Sequence, residues 1–148
     1  MIKTAKQHLE NTIKNIVKEL NNVWYMKIQT FPNAHKRNPA DFIVLSSSNK
    51  ALFECKECKN NRLVFERLTQ TEDLKKFKST GTDFSAFYVI SFWLGRKDKS
   101  EYYVIDVDEI DTEIKRTNKK SFNMNDFKEN FNVLSYTELV KTISKLMN

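Results

Sequence analysis

The sequence predicts an α/β fold in which a central mixed β-sheet of about five strands is flanked by helices. An amphipathic segment opens the chain, and short apolar runs follow it, most of them bounded by turn-forming residues. The most apolar run, residues 84–93, has the length of one buried strand and predicts the centre of the sheet. In chain order we predict helix, strand, strand, strand, helix, strand (αβββαβ), then one more strand and a C-terminal helix.

The first helix is predicted to cover residues 4–21. Its apolar side chains recur at helical spacing and define one stripe, formed by Ala5, Leu9, Ile13, Ile16 and Leu20. Lys and Asn fill most of the opposite side, so we expect the stripe to pack against the sheet.

The other elements are predicted from apolar runs and the turns between them. Strands are expected at residues 23–30, 41–45, 50–56, 84–93 and 102–107. Helices are expected at residues 67–79, 108–117 and 135–147, and the last begins with a capping box of Ser135 and Glu138. Residues 118–133 show no clear pattern.

Length and composition limit the classes of protein. The 148 residues include only two Gly and two Pro, so we predict one domain over residues 1–148 without a flexible linker. Two Cys exclude a disulfide scaffold, and no apolar run approaches the roughly eighteen residues of a membrane span. The formal charge of +6 favours a polyanionic partner. We expect a soluble, cytoplasmic protein.

Three charged residues next to apolar runs are the main candidates for an active site. Glu54 and Lys56 are two apart on a predicted strand and share a face, while Cys55 points to the other. If the turn at residues 46–49 closes a simple antiparallel hairpin, Asp41 lies directly opposite Glu54. Two carboxylates and an ammonium would then meet at one end of the sheet.

This grouping fits metal-assisted phosphodiester hydrolysis. Two close carboxylates repel each other, and a divalent cation removes that repulsion. Incomplete oxygen coordination suits Mg²⁺, which keeps its waters and accepts a phosphate oxygen. The ammonium of Lys56 could orient a water or stabilise charge at phosphorus. From spacing alone, an exposed hairpin with alternating charges remains an equal alternative.

The motifs resemble a known family. Pro39-Ala40-Asp41, followed by Glu54-Cys55-Lys56, looks like the PD-(D/E)XK nuclease superfamily, whose restriction-endonuclease-like core has the αβββαβ order. FECKE at residues 53–57, then Lys59, Phe65 and Gln70, resembles RecU-type Holliday junction resolvases, in particular the phage-like ones. The resemblance covers roughly residues 5–110. Archaeal resolvases look similar over the same core.

The resemblance implies the roles of the site residues. Asp41 and Glu54 would ligate Mg²⁺, with Mn²⁺ as an alternative ion and the carbonyl of Cys55 as a third contact. Lys56 would assist the attacking water. Glu10 resembles the acid that completes such sites, although the helical pattern alone does not choose between Glu10 and Glu19.

The resemblance also implies a substrate and an assembly. Gln70 would orient the site or the DNA backbone. The expected substrate is branched DNA, a four-way junction nicked symmetrically by a homodimer. Basic residues on both sides of the site are expected to contact phosphates without reading the base sequence, namely His35, Lys36, Arg37, Lys59, Arg62, Lys75 and Lys76.

Two further patterns leave alternatives open. Cys55 and Cys58 could be two reduced thiols, half of a zinc site with remote His8 and His35, or a redox pair. Because the pair begins on a predicted strand, we favour reduced thiols. The aromatic residues of the strands are predicted to be core rather than a platform for unpaired bases, namely Trp24, Tyr25, Phe87, Phe92 and Trp93.

Three functions follow from these patterns. The first is a Mg²⁺-dependent endonuclease that resolves Holliday junctions in recombination. The second is a restriction or repair endonuclease of the same fold that cuts ordinary duplex DNA. The third is a DNA-binding protein without catalysis, which the presence of Asp41, Glu54 and Lys56 together argues against.

Overall fold

The computed structural model describes residues 5–28, 38–58 and 60–148, with side chains from His8 onwards. Five helices lie in these ranges: α1 (Ala5–Lys18), α2 (Thr71–Lys78), α3 (Val107–Arg116), α4 (Met124–Asn130) and α5 (Tyr136–Met147). The strands of these ranges are β1 (Trp24–Lys27), β2 (Phe42–Leu45), β3 (Lys50–Cys58), β4 (Arg62–Val64), β5 (Phe84–Phe92), β6 (Glu101–Asp106) and β7 (Ser121–Asn123). A single 3₁₀ turn, Phe65–Arg67, precedes α2.

Five strands form the central sheet in the order β1-β2-β3-β5-β6. β3 and β5 pair in parallel, while the other neighbours pair antiparallel. Parallel neighbours need a crossover connection, and α2 lies in that connection. The predicted α/β class, the mixed sheet and the αβββαβ order are therefore confirmed.

One face of the sheet is covered by α1 and α5. The apolar stripe of α1, including Leu9 and Ile13, packs with Leu139 and Ile143 of α5 against odd-numbered positions of β3 such as Phe53. A polar helix with one apolar stripe can bury that stripe only against such a surface. The predicted role of α1 as a cover for the sheet is confirmed.

The other face is covered by α2, α3 and α4. Leu74, Ile110 and Phe127 of these helices pack with even-numbered β3 positions such as Leu52. β3 is thus covered on both sides, and every residue from Ala51 to Cys58 is buried. Buried charges in such a strand are costly unless they are paired, so their presence points to a site.

The segment without a sequence pattern forms a small second sheet. β4 pairs antiparallel with β7, and α4 follows β7 through a capping box of Asn123 and Asp126. The prediction that helix begins at residue 67 was wrong, because Phe65–Arg67 is a 3₁₀ turn and α2 begins at Thr71. Strands of three residues are too short to show an alternating pattern.

One predicted core residue is exposed. Trp24 lies on β1, an outer strand of the sheet, and 55% of its surface is accessible, as is 49% of that of Met26. Phe92 is fully buried, as predicted, while Tyr25, Phe87 and Trp93 are half-buried. Within the described ranges, none of the helices combines the length and apolarity needed to cross a membrane.

Candidate active site

The site begins with the hairpin of β2 and β3. Leu45 pairs with Lys50 and Phe42 with Phe53, which confirms the predicted register of the hairpin, and Asp41 is the residue just before the last of these pairs. The backbone N–H of Asp41 donates to the carbonyl of Phe53, the partner of Phe42, at 3.0 Å, so Asp41 is held against β3 at the residue next to Glu54 in the chain. Asp41 and Glu54 therefore lie at the same end of the hairpin of β2 and β3.

The carboxylate of Asp41 is held by the backbone of β3. Its Oδ2 accepts a hydrogen bond of 2.8 Å from the N–H of Cys55. Cys55 lies beyond the last β2–β3 pair, so no carbonyl of β2 pairs with this N–H and the side chain takes that place. Hydrogen bonds of this kind fix the direction of a carboxylate.

Glu54 and Lys56 form a buried ion pair on the same face of β3. The ammonium nitrogen of Lys56 lies 3.1 Å from Oε2 of Glu54, and the two side chains are 9% and 2% exposed. Neighbouring even positions of β3, Leu52 and Cys58, lie in apolar packing. A charged pair in this setting is stable only because each member neutralises the other.

Glu10 of α1 joins the site through Asp41. Burial raises the pKa of Glu10, and the side-chain hydrogen bond to Asp41 and the negative charge of Asp41 raise it further. Lys27, at the end of β1, opposes this shift, since its ammonium lies 3.3 Å from Oε2 of Glu10. Of the two acids that the helical pattern left open, the structure therefore places Glu10 beside Asp41.

This donor set fits a partly hydrated cation. Within residues 5–28, 38–58 and 60–148, no three His, Cys, Asp or Glu side chains are placed to hold a metal ion by themselves. Mg²⁺ does not need such a cage, because it keeps waters and binds one or two carboxylates and a substrate phosphate. The carboxyl groups of Glu10 and Asp41 lie close together, and the negative charge of Asp41 helps to raise the pKa of Glu10. A bound cation would relieve this repulsion between the two groups.

Gln70 lies at the start of α2. It is the residue before the first helical residue, and its carbonyl accepts the N–H of Leu74 at 2.9 Å. The next residue, Thr71, shares a hydrogen bond of 2.8 Å with the hydroxyl of Tyr88. Because Tyr88 pairs with Glu54 across β5 and β3, this contact connects the start of α2 with the acid-bearing strand.

A family model for "Recombination protein U" matches residues 1–146. The chain belongs to the RecU family. This membership confirms the predicted resemblance to RecU.

The fold has a structural relative as well. The structure of Hjc from Archaeoglobus fulgidus, a Holliday junction resolvase of an archaeal hyperthermophile, matches with a TM-score of 0.55. The match covers 93% of this chain and 97% of the Hjc chain at 12% identity, which shows a common fold. No curated protein sequence gives a significant match to this RecU chain.

The predicted DNA contacts of this RecU protein are spread over several elements. His35, Lys36, Arg37 and Lys59 lie outside the described residues. Arg62 is on β4 and donates to the hydroxyl of Ser121 at 2.6 Å. Lys75 pairs with Asp111 of α3, whereas Lys76 is exposed. For these seven residues, contact with DNA stays a prediction.

The two cysteines do not form a shared site. Cys55 and Cys58 are free and buried, and they point to opposite faces of β3, each into a different apolar cluster. Burial raises the pKa of the Cys58 thiol to about 12. This arrangement excludes a zinc ion or a disulfide shared by the pair and leaves the favoured interpretation of reduced thiols.

Sequence reasoning missed three residues around the site. Lys27 contacts Glu10, Tyr88 contacts Thr71, and Arg67 donates two bonds of 3.3 Å to the carbonyl of Glu57. Each contact joins elements that are distant in sequence. A predicted register of β1 with β2 would have paired Lys27 with Phe42 and so placed Lys27 close to the site.

Proposed function

We propose that this RecU protein is a divalent-metal-dependent endodeoxyribonuclease that resolves Holliday junctions by nicking two strands symmetrically. The observation that carries the proposal is the carboxylate of Asp41 held by the N–H of Cys55, between Glu54 and the Lys56 ammonium that pairs with it. RecU membership and the Hjc-like fold support a Holliday junction resolving nuclease in recombination. We also propose that this resolvase is of the phage-like RecU type.

The roles of the residues follow from their positions. Asp41, Glu54 and the carbonyl of Cys55, with Glu10 nearby, are the groups that we propose to hold the ion. Mg²⁺, or Mn²⁺ as an alternative, would activate a water and neutralise charge on the phosphate. The fixed carboxylate of Asp41 keeps its direction through the Cys55 N–H, so the donor is oriented before substrate binds.

Lys56 and Gln70 act beside these acids. The ammonium of Lys56 is nearly buried, which strengthens its field and makes it suited to orient a water or stabilise charge on phosphorus. Gln70, at the start of α2, would orient the DNA backbone. Both side chains would orient or stabilise the reacting groups without any change in their own covalent bonds.

The assembly and substrate belong to the same proposal. A four-way junction has two equivalent strands to cut, and residues 1–148 as a single nuclease domain carry one set of Asp41, Glu54 and Lys56. A homodimer would present two such sites related by a two-fold axis. The basic residues would bind phosphates, and the enzyme would act on DNA in the cytoplasm.

Cleavage of defined DNA substrates tests the proposal. A four-way junction, a linear duplex and a nicked duplex are offered to wild-type protein with Mg²⁺. We expect preferred, paired nicking of the junction. Equal cutting of all three would instead support a restriction or repair endonuclease, and binding without cutting would support a non-catalytic DNA-binding protein.

A matched pair of variants assigns the cleavage to this site. Asp41→Asn should abolish cleavage and retain junction binding, because it removes a metal ligand and a negative charge. Asp98→Asn makes the same chemical change in an exposed loop, where Asp98 pairs with Arg96 at 2.7 Å, and should cleave like wild type. Unchanged cleavage by Asp41→Asn would contradict the proposed site.

A further inference from the structure

Tyr88 is the neighbour of Glu54 in the centre of the sheet. The parallel register of β3 and β5 pairs the two residues, and both side chains lie on the α2 face. Tyr88 is fully buried. Burial, and to a smaller extent the charge of Glu54, raise the pKa of Tyr88 to about 12, so its hydroxyl keeps its proton near neutral pH.

The hydroxyl of Tyr88 contacts the start of α2. It shares a hydrogen bond of 2.8 Å with Oγ1 of Thr71, and the backbone of Gln70 interacts with the same hydroxyl. Thr71 Oγ1 also lies 3.1 Å from the carbonyl of Leu68, to which it can donate. These contacts tie the first residues of α2 to the strand beside the acid.

The start of α2 needs an anchor of this kind. α2 has only eight residues, and the side chain of its N-cap residue, Gln70, makes no capping hydrogen bond. The Oε1 atom of Gln70 is buried and accepts no hydrogen bond from the described part of the chain. A short helix without a side-chain cap is weakly held by its own backbone, so an outside contact can set its position.

We propose that Tyr88, through its hydrogen bond to Thr71, is a positioning residue that sets the place of Gln70 relative to Glu54 and Lys56. The inference rests on the proposed nuclease function and adds to it a residue that touches neither metal nor DNA. An error of about 1 Å in the position of a catalytic group can reduce a rate by about 10²-fold. The hydroxyl thus affects cleavage rather than binding.

The chain offers a matched control for loss of a buried hydroxyl. Tyr103 on β6 is also fully buried and packs in the same apolar cluster as Tyr88. Its hydroxyl has no hydrogen-bond partner among the described residues. Tyr88→Phe and Tyr103→Phe therefore remove the same atom from the same environment, but only the first removes a contact to α2.

The experiment measures single-turnover cleavage of a four-way junction with Mg²⁺, and junction binding in EDTA. We expect Tyr88→Phe and Thr71→Val each to lower the cleavage rate by about tenfold or more, with binding unchanged. Thr71→Ser keeps the hydroxyl and should retain the wild-type rate, as should Tyr103→Phe. If Tyr88→Phe does not fold, Thr71→Val against Thr71→Ser decides the question.

A double-variant cycle separates positioning from a general effect on packing. In a Gln70→Ala background, Tyr88→Phe should cause no further loss, because the hydroxyl acts through Gln70. A full additional loss there, a wild-type rate for Tyr88→Phe, or an equal loss for Tyr103→Phe would overturn the inference. Absence of cleavage by wild-type protein would overturn the proposed function and this inference with it, whereas the other outcomes leave the nuclease intact.

Discussion

Lys56 and Glu54 neutralise each other inside the sheet. Their charged atoms are 3.1 Å apart, and less than a tenth of either side chain is exposed. Both residues are on the α2 face of β3, and Asp41 binds the backbone N–H of Cys55 between them. A pair of opposite charges thus borders the acid that we propose to bind metal, and each charge of the pair offsets part of the cost of burying the other.

Removal of Lys56 should therefore affect both catalysis and stability. Lys56→Met removes the ammonium that pairs with the buried carboxylate of Glu54, and loss of one member of a buried pair costs about 3–5 kcal/mol. Cleavage should fall by about 10²-fold or more, as for the loss of one group that stabilises charge in the transition state. Urea unfolding in EDTA and single-turnover cleavage measure the two effects.

The double variant Lys56→Met with Glu54→Gln is the control for stability. It removes both charges and should recover most of the lost free energy of unfolding, without recovering cleavage. An unchanged unfolding free energy in Lys56→Met alone would show that the ion pair contributes nothing to the fold.

Glu10 should destabilise the metal-free protein. Its pKa is raised in the folded state, so the native protein binds this proton more tightly than the unfolded chain does. Stability from this group is present below the unfolded pKa of about 4.3 and is lost as pH rises through the folded pKa. At pH 7, Glu10→Gln should raise the midpoint of urea unfolding in EDTA.

The Glu10→Gln variant should also gain less stability from bound metal than wild type does. Added Mg²⁺ should stabilise Glu10→Gln less than wild type, and cleavage should fall by about 10²-fold, the typical effect of losing one electrostatic group. Glu19→Gln, exposed in the turn directly after α1, is the matched control and should behave as wild type. Equal Mg²⁺ stabilisation of Glu10→Gln and wild type would exclude Glu10 from the ion site.

Buried tyrosines should make the protein sensitive to alkali. Burial raises the pKa of Tyr88 and Tyr102 to about 12, and it also raises that of Tyr103. In the unfolded chain they ionise near pH 10, so their stability contribution is complete below about pH 10 and is lost as pH rises toward the folded values. Each group costs about 1.4 kcal/mol per pH unit in that window.

Phenolate absorbance and circular dichroism followed together measure this effect. Ionisation of the three tyrosines should coincide with unfolding, and Tyr103→Phe should make the loss of stability with pH less steep. Ionisation of these residues in a protein with a native circular dichroism spectrum would show that they are not held neutral by burial.

Local patterns in the sequence were sufficient for much of the site. The turn at residues 46–49 makes a hairpin with one register, and that register alone brings Asp41 to Glu54 and places Lys56 on the same face. The capping box of Ser135 and Glu138 likewise marked the start of α5 through bonds three residues apart. Interactions within one hairpin or one helical turn depend on short-range geometry, which residue types reveal.

Other features depend on which elements pack together. The helical pattern of α1 allowed Glu10 or Glu19, and only the packing of α1 beside Asp41 decided for Glu10. The small sheet of β4 and β7 joins segments about sixty residues apart in the chain, and each strand has three residues. Trp24 has a strand-like, apolar context but lies on an outer strand, so its exposure could not be deduced from residue type.

Residue order and spacing were enough to predict the α/β class, the αβββαβ order and the register of the hairpin that carries Asp41, Glu54 and Lys56. Tertiary structure decided that Glu10 and Lys27 join these residues, and that Tyr88 reaches from β5 to the start of α2. The physical reason is the range of the interactions. Periodicity, turns and caps act between residues close in the chain, whereas side-chain contacts between helices and strands exist only after the apolar faces have packed.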